Sequence, residues 1–492
     1  MTMMKSVLLS SASVLVAFGT QAADLPVKAK PVEYVKICSL YGEGFYYVPG
    51  TDICLKVGGY VRADYRWNAT GGGQPHYTGG GGAQDRSVSP FSTRHRAHFN
   101  FDSRSQTAYG TLRTYVAVNV DNQDQGTVGV TPTRAFIQWA GFTFGHTKSF
   151  TDVPGTPEDT FKSLFQTQNV SETAPNGTNQ IAYTWELGNG MTLNVGADER
   201  RTKAIANLSN NVTTVGSNPT TSFGPYQHPT PWVNFAVNQA WGRFGVSAIF
   251  NKVNAQYYTG TTATTGNCPS TQTGTSACGY PDDKWGWAVL SGIDIKAPWA
   301  GPGDHFGGYF NYGVGAAAYA GGSNLNSPGL FGSGNTVAFG VITDGVFVNG
   351  GQFELTTTWT AGAGWEHFWL PNFSTAVYGT YTQVRYNDTV INSNFFCGAS
   401  PAVTQNLNLN NNAPCDPGFN YWTVGAVTNW YPVAGFRLAV DVLYTRIETA
   451  LDGQQVSLGK AQGLRPTGNY TAKDQGILSV VFRAQRSFAT GD

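Results

Sequence analysis

The chain has 492 residues, 30 acidic and 30 basic side chains, and a formal charge of zero. Charged residues are only 12% of it, about half the share usual in a soluble globular protein, which excludes a basic nucleic-acid binder. Aromatic residues reach 13%, which excludes a disordered chain, and 61 glycines predict many turns between short strands.

Residues 1–22 read as a secretory signal peptide. Lys5 precedes a short apolar run, Ser6–Phe18, and the small residues in Thr20–Ala22 place cleavage after Ala22. The run is shorter than the ~20 residues a membrane-spanning helix needs. Six cysteines fit export. Fifteen pairings are open to them, and sequence neighbours are the expected partners: Cys38 with Cys54, Cys268 with Cys278, Cys397 with Cys415. Each bridge would remove about 3 kcal/mol of denatured-state entropy in the loop-closure view. The spacings are not those of a zinc site.

From residue 55 onward the side chains alternate with period two. "CLKVGGYVRADYRW" sets Val57, Gly59, Val61, Ala63, Tyr65 and Trp67 against Lys56, Tyr60, Arg62, Asp64 and Arg66. "TRHRAHFNFDSR" sets Ala97, Phe99 and Phe101 against Arg94, Arg96, His98, Asn100, Asp102 and Arg104. Hairpin turns follow, as at Gly188-Asn189-Gly190, where positive φ angles suit a tight turn. Sixteen strands are predicted, near 55–67, 93–104, 110–121, 133–140, 142–149, 179–187, 191–199, 231–240, 243–253, 284–296, 304–319, 353–369, 373–386, 419–430, 435–448 and 475–488. Short connections alternate with eight long polar ones, at 68–92, 122–132, 150–178, 200–230, 254–283, 320–352, 387–418 and 449–474.

This pattern predicts an all-β fold: a transmembrane antiparallel β-barrel of about sixteen strands, filling 23–492. In lipid every backbone polar group must be paired within the protein, and a closed sheet does this without edges. Strands then carry apolar side chains outward and polar ones inward, with short turns at one end and long loops at the other. Aromatics at strand ends, such as Trp365, Phe368, Trp369, Trp430 and Tyr431, fit an interfacial girdle. Residues 23–54 are expected as an N-terminal segment on the periplasmic side, with Pro31–Cys38 completing the last strand.

Three stretches, "VEYVKICSLYGEGFYYVPGTDICLKVGGYVRADYRW" (Val32–Trp67), "RAFIQWAGFTFGHTKSF" (Arg134–Phe150) and "SVVFRAQRSF" (Ser479–Phe488), resemble the general porins of alphaproteobacteria, the rhizobial type. The resemblance implies a homotrimer in the outer membrane of a Gram-negative bacterium, and passive diffusion of small hydrophilic solutes and ions. It implies that the third long loop, here 151–178, folds into the lumen as a constriction. It puts the trimer contact on the early strands, around Phe99, Phe101 and Val116. It also makes Phe488, an aromatic closing the last strand, the signal read by the barrel-insertion machinery. The tail "ATGD" after Phe488 departs from that pattern.

Charges on the lumen parity then form the candidate site. Arg62, Arg66, Arg94, Arg96, Arg113 and Arg134 give a basic wall, with Lys56 and Arg104 nearer strand ends and Asp64, Asp102 and Asp121 as the acids among them. The loop carries Asp152, Glu158, Asp159 and Glu172. A basic wall facing an acidic loop filters ions by charge. In the closing strand, Arg483 and Gln485 face the lumen. No enzyme, cofactor or metal is expected. His95 and His98 point to opposite faces of one strand. "DNQDQG" (Asp121–Gly126) lacks the closing Glu of a calcium loop, and phosphate-loop and dinucleotide fingerprints are missing. The open alternatives are a substrate-selective porin and a surface adhesin or structural barrel.

Overall fold

A computed structural model describes residues 36–124, 126–166, 176–209, 221–258, 276–322, 326–392, 396–397, 415–458 and 461–488. The signal segment 1–22, Glu172, Cys268 and the residues after Phe488 lie outside the described residues.

Sixteen of the described strands form the wall of one antiparallel sheet, which the two-residue strand Tyr46–Tyr47 extends beside Cys54–Leu55. They are β1 (Cys54–Trp67), β2 (Phe91–Thr107), β3 (Gly110–Gln123), β4 (Gly129–Trp139), β5 (Phe142–Thr147), β6 (Thr178–Gly188), β7 (Met191–Asp198), β8 (Thr230–Gln239), β9 (Gly242–Val253), β10 (Lys284–Lys296), β11 (His305–Val314), β12 (Thr357–Leu370), β13 (Phe373–Arg385), β14 (Phe419–Val433), β15 (Phe436–Glu448) and β16 (Gln475–Ser487). Each pairs with the next, and β16 pairs with β1 from Tyr60↔Ser487 to Trp67↔Val480. The sheet is therefore a closed barrel with no free edge. All sixteen predicted strands are present.

Local chemistry sets the boundaries. The two-residue turns Ala140-Gly141 and Asn189-Gly190 have positive φ at both positions, the geometry whose twist matches a β-hairpin. Pro132 cannot donate to a ladder, and the β3–β4 register slips beside it, between Ala117 and Val118. β3 and β4 run further than the sequence predicts, so the second connection is only 124–128 rather than 122–132. β11 ends at Val314 rather than near 319. Gly315 turns the chain at φ 65°, and Ala317–Ala320 form a helical turn.

The outward face is apolar. Val57, Val61, Phe99, Phe101, Val116, Val424 and Val440 are all exposed on it, where the surrounding medium of a barrel is lipid. Trp139, Trp185, Trp241, Trp299, Trp369 and Trp430 stand at or beside six of the short turns, as an interfacial girdle requires. Phe488 closes the seam. Its N–H donates to the Gly59 carbonyl at 2.9 Å, and its ring fills the space a Cβ at Gly59 would need, 2.8 Å away.

The described residues of the N-terminal segment, from Lys36 onward, do not complete β16, which β1 meets directly; Pro31–Val35 lie outside the described residues. The described part folds on itself at the short-turn end. The Cys38 N–H donates to Phe45, the Tyr47 N–H to Lys36, and the Cys38–Cys54 disulfide ties it to the start of β1. Cys397–Cys415 is also formed. Cys278 is disulfide-bonded; its expected partner, Cys268, is outside the described residues.

At the opposite end, long loops pack into an apolar cap. Phe331, Val337, Phe339, Ile342 and Val346 from the β11–β12 loop lie against Tyr77, Leu208, Tyr386, Val456 and Tyr470 from four other loops. Two short parallel pairings stitch it: Thr343–Phe347 with Ala204–Asn207, and Thr336–Phe339 with Gly468–Ala472.

Candidate functional site

The β5–β6 loop crosses the barrel interior. Leaving β5, it lies on the strand backbones of β10 and β11. Gly155 permits this: it has φ +89°, and a Cβ there would stand 2.3 Å from the Gly308 carbonyl and 2.5 Å from that of Ile293. Further on, Phe161, Leu164 and Phe165 bury themselves against Ala376, Tyr378, Val427, Ala439, Leu443 and Val481 on the far wall. Burying three such side chains is worth roughly 1.5–3 kcal/mol each. Asp441 of β15 latches the loop. Its Oδ2 accepts from Ser163 Oγ at 2.8 Å and the Leu164 N–H at 2.7 Å, and its Oδ1 from Tyr378 Oη at 2.8 Å. The Gln166 N–H then donates to the Gly73 carbonyl of the first loop.

Strand register lines up the opposite wall. One row of lumen residues runs Arg483, Asp64, Arg94, Gln123 across β16, β1, β2 and β3. The next row runs Arg437, Gln485, Arg62, Arg96, Asp121, beginning on β15. Asp64 is fully buried and holds three guanidiniums: Arg66 at 2.6 Å, Arg94 at 3.0 Å and Arg483 at 2.6 Å. Arg96 grips Asp121 with two bonds, 2.5 and 2.8 Å. Arg62 stacks over Tyr60 at 4.4 Å and donates Nε to Gln485. Between wall and loop lies a cavity of about 210 Å³, lined by Arg62, Arg94, Arg96 and Arg483 on one side and Glu158, Ser163, Leu164, Phe165 and Gln166 on the other.

The remaining sequence-derived residues sit elsewhere. Arg113 bonds Asp102 and Gln138, its plane over the Tyr115 and Phe136 rings. With Asp152 and Lys148 it lines a second cavity of about 690 Å³ near the short-turn end. Arg104 also pairs with Asp102 and lies over Phe45 at the mouth. Arg134 donates to the Thr133 carbonyl beside the β4 bulge, apart from the Asp64 group. Asp159 faces the other wall, held by Lys148 at 3.2 Å and Arg243 at 2.9 Å. From there a chain of ion pairs continues through Asp294, His305 and Glu366. His95 packs outward on Tyr65, while His98 faces inward to Asn119.

Arg437 and Asp441 fall outside the sequence-derived set, and Arg483 is read there as a lumen residue but not as part of the wall. The signal was the same inward parity, applied to strands far apart in sequence that barrel closure sets beside β1.

Residues 24–481 match the sequence profile of a family described as "Porin subfamily". Two curated relatives from Brucella canis are similar to parts of the chain. One is "Porin Omp2a", 35% identical over 214 residues, which are 38% of this chain and 54% of the relative. The other is "Porin Omp2b", 36% identical over 203 residues, 38% and 52% of the two chains. The chain thus spans about half the length of the curated relatives it matches. Among solved structures, the "outer membrane channel DcaP of Acinetobacter baumannii" aligns over 90% of this chain and 99% of that one, with a TM-score of 0.53 and 15% identity, a likeness of fold.

Proposed function

Because this chain belongs to the porin subfamily, and so is an outer-membrane β-barrel of a Gram-negative bacterium, we propose that its lumen is a water-filled pore for passive diffusion of small hydrophilic solutes and ions. Family membership points to a channel rather than an enzyme. The observation that carries the reading is the inward loop lying opposite an arginine wall. Lumen charges of this kind are cheap toward water and costly toward lipid. They act on permeating ions by field and local concentration rather than by a reaction. Solutes pass between Glu158 on the loop and Arg62, Arg94 and Arg96 on the wall, while Arg113 and Asp152 line the inner vestibule. The assembly is a homotrimer, joined through the outward faces of the early strands and set in outer-membrane lipid after delivery by the barrel-insertion machinery.

Planar-bilayer recording on the purified chain tests this. Large, stable conductance steps in groups of three are expected. Under a salt gradient, replacing Arg94 and Arg96 by Ala is expected to move the reversal potential toward cation preference. Folded, heat-modifiable protein without conductance would overturn the pore reading. An unchanged reversal potential would remove the two arginines from the selectivity region.

A further inference from the structure

The cavity between loop and wall has more donors than its own acceptors can use. Five guanidiniums, Arg62, Arg66, Arg94, Arg96 and Arg483, meet three carboxylates, Asp64, Asp121 and Glu158, leaving an excess of two positive charges. Asp64 and Asp121 are already engaged. Among the described residues, Arg94 is 7% exposed, lines the cavity, and its Nε has no hydrogen-bond partner; Arg66, 1% exposed, leaves Nε and Nη1 unpaired just behind it. Arg62 donates Nε to Gln485 and lines the same cavity. A buried charged donor left unmatched costs more than a neutral one. Asp64 holds Arg66 and Arg94 in place, and the Tyr60 ring holds Arg62.

The opposite side supplies an apolar floor, Leu164 and Phe165, with the Gln166 amide at its rim. An apolar surround strengthens each charge–charge contact relative to open water. The volume, about 210 Å³, holds roughly seven waters at about 30 Å³ each, or one small oxyanion with part of its hydration shell. Guanidinium forks match oxyanions with two parallel bonds, whereas a halide offers no second oxygen.

We propose that this cavity is a saturable binding site for small divalent oxyanions, built from Arg62, Arg94, Arg96 and Arg483 with Asp64 as the carboxylate that holds two of them in register. The inference rests on the pore reading above and goes beyond it. A charged ring passes every anion according to charge and size, while a site of this kind retains one class and lets it compete with the rest.

The test uses the purified full chain in planar bilayers. Chloride current is recorded as sulfate, inorganic phosphate at pH 8, or nitrate is added at fixed ionic strength. Sulfate and phosphate should reduce the current along a saturating curve, with half-effect concentrations at least about tenfold below that of nitrate. Arg62→Gln should raise the sulfate half-effect concentration about tenfold, and Arg62→Lys, which keeps the charge but not the fork, should recover only part of it. The wild-type comparison needs no variant to fold. Equal effects of sulfate and nitrate, or a decline without saturation, overturn the binding site and leave the pore intact. Absence of any chloride current overturns the pore reading and this inference with it.

Discussion

Asp64 shows how one carboxylate can organise a wall of like charges. It is fully buried and touches guanidiniums from three strands: Arg66 on β1, Arg94 on β2 and Arg483 on β16. The β16 contact spans the seam that closes the sheet. Breaking a buried ion pair by removing one partner costs about 3–5 kcal/mol, because the other charge is left uncompensated. Here three would be left. Asp64→Ala should therefore lower the temperature at which the folded barrel loses its compact electrophoretic mobility. Arg66→Ala removes one charge and leaves Asp64 with two partners, so its effect should be smaller. Equal shifts for the two variants would show that Asp64 is not the organiser of the seam.

At the scale of elements, the β5–β6 loop meets the far wall through one polar latch and one apolar anchor. Asp441→Ala would leave Ser163, the Leu164 N–H and Tyr378 Oη short of a buried acceptor, at about 1–3 kcal/mol for each group left unmatched. The loop should then leave the far wall more often. Single-channel steps should become larger and noisier, with weaker ion selectivity; steps identical to the parent would mean the apolar anchor alone suffices. The cap carries a second consequence. Asp344, in the β11–β12 loop, is fully buried and accepts from the Lys203 N–H at 2.7 Å and the Ala317 N–H at 2.8 Å. Burial pushes its pKa up to about 7, against the pull of Lys203, and brings Lys203 down to about 8. For a carboxyl raised on folding, stability is complete below its unfolded value near 4 and is lost as pH rises through about 7. For a lysine lowered on folding, the deficit is complete below about 8 and does not change between pH 5 and 7. Of these two groups, only Asp344 contributes a slope between pH 5 and pH 7. Proteolysis within the cap should quicken from pH 5 to pH 7 relative to an unfolded control, and Asp344→Asn should flatten that rise. The sequence made the strands legible because lipid outside and water inside impose a period of two on every one of them. The loop's entry into the lumen was legible only through family resemblance. Its apolar anchor, Phe161, Leu164 and Phe165, has no period that separates it from a surface turn. The cap was not legible for the same reason: Phe331, Phe339 and Tyr470 find partners across five loops, and no local pattern encodes contacts that distant. Of the Pro31–Cys38 stretch, the described residues Lys36–Cys38 do not join the last strand, because the β1 and β16 ladders pair with each other.

The whole molecule is a closed cylinder whose outer surface differs around its circumference. On the early strands, register builds an outward apolar row Val57, Phe101, Val116, Ala135 across β1 to β4. The row beside it runs Gly59, Phe99, Val118, Pro132, with Phe488 folded onto Gly59 and 6.3 Å from the Phe99 ring. The same region holds β5, the shortest strand of the barrel at six residues. A barrel needs apolar side chains on this face whether it meets lipid or another copy, so exposure alone does not distinguish the two. Substitution does. A lone Asn in a lipid-facing row adds a desolvation cost, set by its depth, that each monomer bears by itself. A lone Asn in a subunit contact acts on association as well. Phe101→Asn is therefore expected to abolish the trimer band in unheated electrophoresis while leaving a heat-modifiable monomer. Val424→Asn, on the outward face of β14 and 57% exposed, should keep the trimer. Loss of the trimer band in the β14 variant with retention in the β2 variant would move the proposed interface away from the early strands, to a part of the wall four strands further round the barrel.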